Sequence, residues 1–364
     1  MLPQSPIIVI MQGVAAWNHW RRLDTTDTNH PQLREALLIR AELPRINLSY
    51  VDSCISNFSS ANLFQADLTQ AIFYTANLSQ ARLDCANLDG VDMREANLRE
   101  ASLIRVQAQK TNFAMADLQG SNLREGLFSN SNFCEASLTD VDGCMAQLDA
   151  CNLSHTNLQK SLFYTADLQQ ANLRQANLKD ADFREANLTQ AILEDVNGCN
   201  SRFSAAILDR ALVTGALLSG ANFTMANLKL TILNKANLSH ACLQSAVLTG
   251  ASLVGTNLCY AQLQNSNLAH TDCRKAMLSK ANLKNVNLRE ANLSNANLSK
   301  ANLQGSCLNN AKLHNTNFSH VDLRQTELAG VDLSTAILTG AQLPKNYTPT
   351  PTIIQTTSQF TQAA

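Results

Sequence analysis

The sequence predicts an all-β fold, a four-sided parallel β-helix solenoid that takes up most of the 364 residues. Three observations carry this reading. Leu or Phe recurs every fifth residue, at Leu48, Phe58, Leu63, Leu68, Phe73 and on to Leu343, with no insertion or deletion. A small residue stands two places before nearly every one of these centres, as Ala61 does before Leu63 and Ala281 before Leu283. Phe centres favour intervals of twenty (Phe163, Phe183, Phe203, Phe223; Phe113 with Phe133) over intervals of fifteen (Phe58 with Phe73, Phe113 with Phe128).

A period of five excludes the simpler structures. On an α-helix it advances by roughly 500°, so successive centres would spiral around every face. In a continuous strand an odd period would turn alternate centres outward. What remains is one short strand and one turn per unit, with the centre and the small residue inward and the intervening Asn or Asp outward. Two polar residues then make the corner. Asn and Asp suit their place because their side chains bond to turn backbone. About 60 consecutive units follow this grammar. Centres that depart from Leu or Phe are Ser53, Met93, Ala108, Gly143, Gly198, Val213 and Cys273. One large and one small inward residue per side makes a narrow, dry, filled core with no cavity for a substrate. An interval of twenty means four sides per coil, with rings stacked between coils.

Tandem A-[DN]-L-x-x units, clearest from Ala281 to Leu303, resemble the pentapeptide repeat proteins over more than four-fifths of the chain. The resemblance implies a right-handed, quadrilateral β-helix. About sixteen coils at roughly 4.8 Å each would form a rod on the order of 75 Å long.

Residues 1–30 break the pattern. Ile7, Ile10, Met11, Val14 and Trp17 follow helical spacing and predict one short amphipathic helix. The run is too short to span a bilayer and lacks the flanks of a signal peptide. Gly13 to Arg22, GVAAWNHWRR, resembles the leader before the repeats in many cyanobacterial members of that family. It reads as a cap over the open end of the first coil, or as a partner dock built on Trp17, Trp20, Arg21 and Arg22. Residues 31–45 read either as a helix beginning at Pro31 or as the first coil. Leu33, Leu38 and Leu43 keep the five-residue register, which favours a solenoid over 31–345.

Within the array, Phe73–Leu78 (FYTANL) resembles Phe163–Leu168 (FYTADL), and REANL recurs at Arg94–Leu98 and Arg184–Leu188. The offset of ninety suggests an internal duplication whose copies face opposite sides, a trace of history with no shared surface. The Gly143 and Gly198 units lack a core side chain. Repeat drift accounts for both, and a bend or recognition site is the other reading; a local bulge would let Cys144 or Cys199 fill the gap. Residues 1–210 carry about seven net negative charges and 211–345 about six net positive ones. Such a dipolar rod could orient a partner or pack head to tail. Candidate contacts in the basic half are Lys275, Lys280, Lys284, Arg289 and Lys300. Residues 346–364, rich in Thr, Pro and Gln, read as a flexible tail in which Ile353 and Ile354 could fold over the final coil.

Chemistry is sparse. Ten scattered cysteines form no C-x-x-C and suit a reducing, cytoplasmic setting, and neither they nor the dispersed histidines predict a metal site. No phosphate loop and no stacking aromatics accompany the basic half, so nucleic acid is disfavoured. The expected function is a non-enzymatic protein–protein interaction scaffold or regulator. It needs no cofactor and no small-molecule substrate, does not span a membrane, and could self-associate through the solenoid ends. The resemblance implies an alternative, a DNA mimic that binds or protects DNA gyrase, which the near-neutral charge disfavours.

Overall fold

The computed structural model describes residues 5–23 and 30–345. Parallel bridges pair nearly every outward residue with the one twenty places on, from Gln32 with Asp52 to Asp322 with Gln342. Twenty residues per coil and five per side make four sides. Each side is held by a repeated set of main-chain bonds. Asn62 N donates to Ala41 O (2.9 Å), Leu63 N to Arg82 O (2.8 Å), and Gln65 N to Asp84 O (3.0 Å), while Ala66 N closes the corner on Leu63 O (3.0 Å).

The interior follows the size pattern. Small and large inward residues from Leu33 to Leu333 form one buried cluster. Phe163, Phe183, Phe203 and Phe223 stack at 5.5, 5.3 and 4.8 Å with nearly parallel rings, and Phe113 lies 4.8 Å from Phe133. The outward Asn or Asp accepts from the first corner amide, as Asn77 Oδ1 does from Ser79 N (3.0 Å). Outward amides also form ladders between coils: Asn132 Nδ2 donates to Asn112 Oδ1 (3.1 Å) and Asn152 Nδ2 to Asn132 Oδ1 (3.0 Å).

Corners carry strain that the pattern does not announce. The second corner residue is left-handed throughout Glu35–His320, with φ of 54–62° wherever it is not glycine. This region costs an ordinary L-residue roughly 1 kcal/mol or more, and even β-branched Ile55 occupies it at φ 60°. The bonds to the next coil hold it there.

At the N-terminus there are two helices, α1 (Pro6–Ile10) and α2 (Val14–Leu23), rather than the single expected one. The chain turns between them at Gly13, whose φ of 97° suits glycine. The buried face therefore differs from the expected stripe: Val9, Ile10 and Trp17 are buried, whereas Ile7 and Met11 are exposed. Helix α2 replaces a missing coil. Trp17 Nε1 donates to Asn47 O (2.5 Å), Asn18 Oδ1 accepts from Asn47 N (2.8 Å), Asn18 Nδ2 donates to Arg45 O (3.0 Å), and Arg21 donates to Ser49 O (2.8 Å). These side chains satisfy backbone groups that an earlier coil would otherwise have bonded. The ladder is already running at Gln32, so residues 31–45 form coil and no helix. The expected tail, with Ile353 and Ile354, lies outside the described residues.

The Gly143 and Gly198 units contain no bulge. Gly143 N still bonds Leu162 O (2.7 Å), and Gly198 N bonds Leu217 O (2.7 Å). The space above each glycine is taken from the next coil. A Cβ on Gly143 would lie 2.4 Å from Phe163 Cε1, and one on Gly198 would lie 2.7 Å from Leu218 Cδ2. Cys144 stays at its corner, its amide bonded to Asp142 (3.1 Å). The cysteine-filling expectation fails because a side chain of the next coil, Phe163 above Gly143 and Leu218 above Gly198, already occupies the space.

Candidate functional site

The core is closed, so contact with other molecules falls to outward and corner residues. The corners stack into four edges, numbered here from the first coil: edge I through 34–35, edge II through 39–40, edge III through 44–45 and edge IV through 49–50, each repeating every twenty residues.

The predicted contacts scatter over these edges. Trp17 is fully buried and cannot meet a partner. Trp20 is half-buried with its ring 5.1 Å from Trp17, and Arg21 is tied to Ser49. Arg22 is exposed at the end of α2. The α2 dock is thus mostly consumed in capping. Lys275, Lys280, Lys284 and Arg289 sit at four successive corners and encircle one coil, and Arg289 reaches Glu290 (3.3 Å). Only Lys280 and Lys300 share an edge, edge II.

A different surface is built twice. On edge I, Arg34 Nη1 pairs with Asp52 (3.0 Å), and Asp52 Oδ1 accepts from Cys54 N (3.1 Å). On edge III, Arg124 pairs with Asp142 (3.1 Å), which accepts from Cys144 N (3.1 Å). One coil further on, Tyr74 and Tyr164 each donate to a glutamate, Glu95 and Glu185, at 3.1 Å. Arg94 lies over the Tyr74 ring at 5.5 Å and Arg184 over Tyr164 at 5.7 Å. Those arginines pair with Asp92 and Asp182, both at 2.7 Å. Each copy also exposes an apolar side chain beside the tyrosine, Ile55 in one and Met145 in the other. The offset of ninety residues is four and a half coils at twenty per coil, so the two surfaces lie on diagonal edges, roughly 22 Å apart along the axis. The FYTA and REANL repeats signalled this. The matching Arg34/Arg124 and Asp52/Asp142 pairs were missed because they lie in units that otherwise look unlike.

Electrostatics hold these clusters in shape. Burial raises the Asp92 and Asp182 carboxyls, yet the paired arginine and its amide bring both below the usual range. Burial, then the Asp52 bond, pushes the Cys54 thiol up to about 11, and Cys144 is raised for the same reasons. Such thiols are poor nucleophiles. Among the described residues no group of three or more His, Cys, Asp or Glu could hold a metal. Two open depressions of about 250 and 390 Å³ lie on the surface, the first by Asp149, Asp167 and Gln170 and the second by Lys312, His314 and Asp332. No described helix is long and apolar enough to cross a membrane.

The family model described as pentapeptide repeats (8 copies) matches residues 56–99, 81–118, 111–142, 146–184, 181–220, 214–250, 246–285, 276–315 and 316–345. No curated protein sequence matches the chain. Among solved structures, HetL, a pentapeptide repeat protein involved in heterocyst differentiation regulation from the cyanobacterium Nostoc sp. strain PCC 7120, is 27% identical. That match covers 74% of this chain and 90% of HetL, with a TM-score of 0.19. Rfr23 from the cyanobacterium Cyanothece 51142 is 33% identical over 31% of this chain and 63% of its own, with a TM-score of 0.19. QnrB1, a plasmid-mediated fluoroquinolone resistance protein, is 21% identical over 56% of this chain and 91% of its own, with a TM-score of 0.29.

Proposed function

We propose that this chain, which belongs to the pentapeptide-repeat family, is a non-enzymatic scaffold that holds protein partners on the edges of a right-handed, quadrilateral β-helix of about sixteen coils. The observation that carries the reading is the doubled surface on edges I and III. Each copy offers a tyrosine and an exposed aliphatic side chain, Ile55 or Met145, bracketed by Arg–Glu corners at Arg34–Glu35 and Arg94–Glu95 or Arg124–Glu125 and Arg184–Glu185. An apolar, aromatic centre with a charged rim is the anatomy of a protein-binding patch. Two such patches on diagonal edges let one rod hold two copies of one partner. The ten free cysteines support a reducing, cytoplasmic setting, and the reading requires no cofactor.

The test is a photo-crosslinking amino acid placed at Tyr74, at Tyr164 or at the control corner Val254, in the native host. The same partner protein captured from 74 and 164 but not from 254 is expected. Different proteins at the two tyrosines, or none at either, would refute the doubled patch.

A further inference from the structure

Most outward positions of the rod are polar, and one column breaks that rule. On the face between edges IV and I, Ile192, Leu212 and Ile232 stand on three successive coils joined by parallel bridges. Among the described residues no other outward column sets even two aliphatic side chains on adjacent coils. Each of the three gives up the bond that an outward Asn accepts from the corner amide, as Asn77 does from Ser79. Ile192 and Leu212 are half-buried and Ile232 is exposed, with exposed Leu230 beside it on edge IV. The column also sits where the charge of this face changes sign. Counting the face with both its edges, residues 129–195 carry Glu135, Asp149, Glu194 and Asp195 against Arg174. Residues 229–295 carry Lys229, Lys235, Arg274, Lys275 and Arg289 against Asp272 and Glu290. Farther out the balance is near neutral: Asp89, Asp92 and Glu95 stand with Arg94 and Lys110, and Lys312 with Asp332. Several of these charges are paired within the chain, Arg174 with Glu194, Arg274 with Asp272 and Arg289 with Glu290. Asp195 and Lys235, on edge I one coil either side of Leu212, form no ion pair among the described residues.

We infer that the face between edges IV and I packs on the same face of a second copy of this chain, the rods antiparallel about a two-fold axis that crosses the face at Leu212. The axis lies in the contact plane, across the rods. Edge I then meets edge I, edge IV meets edge IV, and the order of the coils is reversed. Leu212 meets Leu212 and Ile192 meets Ile232, so the apolar run is its own complement. The same operation sets Asp195 against Lys235, twice per dimer, with Glu194 beside each pair. Glu135 comes within one coil of Lys275, and Asp149 within one coil of Arg289. Asp209 and Arg210 meet their own copies, so each guanidinium faces a second carboxylate. Like-sign contacts are peripheral: Arg174 falls one coil from Arg274, and Asp92 opposite Asp332, and Arg174, Arg274 and Asp92 are each already paired. Parallel rods would instead set Lys235 against Lys229 and leave Asp195 against Thr189. The nine coils from Asn132 to Asn292 make a contact of roughly 40 by 10 Å, on the order of 400 Å² per rod. That area belongs to a weak, reversible dimer. Edge III stays free, and Tyr74 lies beyond the last described coil of the second rod. Failure of this dimer would therefore leave the crosslinks at 74 and 164 unchanged, while a crosslinker at Val254, which faces Arg174 of the second copy, would capture only the chain itself.

Sedimentation velocity of the full chain at roughly 1–100 µM provides the test. A reversible dimer is expected. Leu212→Asn installs the residue that most outward positions already carry, so circular dichroism should match the parent while the chain becomes monomeric throughout the range. Asp195→Lys and Lys235→Asp should each weaken the dimer about tenfold, because each creates two like-sign pairs, and the double variant should recover the parent to within about threefold. A parent that is monomeric throughout overturns the inference. So does a dimer unmoved by Leu212→Asn, which would place the contact elsewhere on the rod, or a double variant no stronger than either single one. A photo-crosslinker at Leu212 that captures a different protein in the native host, while the purified chain stays monomeric, would assign the apolar run to that protein and likewise overturn it.

Discussion

Gly143 gives the sharpest test of how this core is filled. Replacing it with Ala places a Cβ 2.4 Å from Phe163 Cε1 and 2.7 Å from Cδ1, where ordinary contact begins at 3.4 Å. The ring must therefore move by about 1 Å. It cannot move freely along the axis, because Phe183 is stacked 5.5 Å away at an interplanar angle of 8°. Gly143→Ala should cost about 1–3 kcal/mol, the usual range for overpacking. Phe163→Leu should cost about 1–2 kcal/mol, because it uncovers the space above the glycine. The two changes relieve one another, so the double variant should be less destabilised than the sum by about 1 kcal/mol or more. Urea denaturation followed by far-ultraviolet circular dichroism measures all four corners of the cycle in one background. Additive effects, or a Gly143→Ala variant as stable as the parent, would refute the claim that Phe163 fills this gap. If Cys144 filled it instead, Cys144→Ala would be the costly change and Gly143→Ala nearly free.

Three further outcomes follow from the geometry. Trp17→Phe keeps most of the buried area but loses the bond to Asn47 O, so it should cost about 1–2 kcal/mol in the same denaturation assay. Ile55→Asn relieves a β-branched residue held at φ 60° and should stabilise the chain by about 1 kcal/mol, seen as a raised thermal midpoint. Burial pushes the Cys151 and Cys273 thiols up to about 12, so at pH 8 iodoacetamide should label exposed Cys85 first and leave these two unreacted until the chain unfolds, as peptide mass spectrometry would show.

The period of five was legible because it is a statement about which side chains point inward, and burial enforces that at every unit. Four sides were legible from the Phe intervals for the same reason: rings such as Phe163 and Phe183 stack only where coils superpose. What depended on the residue twenty places away was harder to see. Gly143 is explained by Phe163 and not by its neighbour Cys144, and nothing local at either position says so. Arg34 and Asp52 lie eighteen residues apart in sequence yet form one ion pair. The basic candidates Lys275, Lys280, Lys284 and Arg289 lie close in sequence and so were grouped, yet the fold sends them to four different edges. Trp17 and Trp20 looked like contact residues because aromatic, basic segments often are. Here Trp17 bonds the backbone of the first coil at Asn47 O, and Trp20 packs against Trp17.

The proposed function places partner binding on the doubled patches of edges I and III. Quantitative co-purification from the native host tests it most directly, comparing the parent with Tyr74→Ala/Arg94→Ala, with Tyr164→Ala/Arg184→Ala, and with all four changes together. One partner is expected whose recovered ratio to the chain falls by about half in each double variant and to background in the quadruple variant. A partner recovered undiminished with the quadruple variant, folded as the parent by circular dichroism, would contradict it.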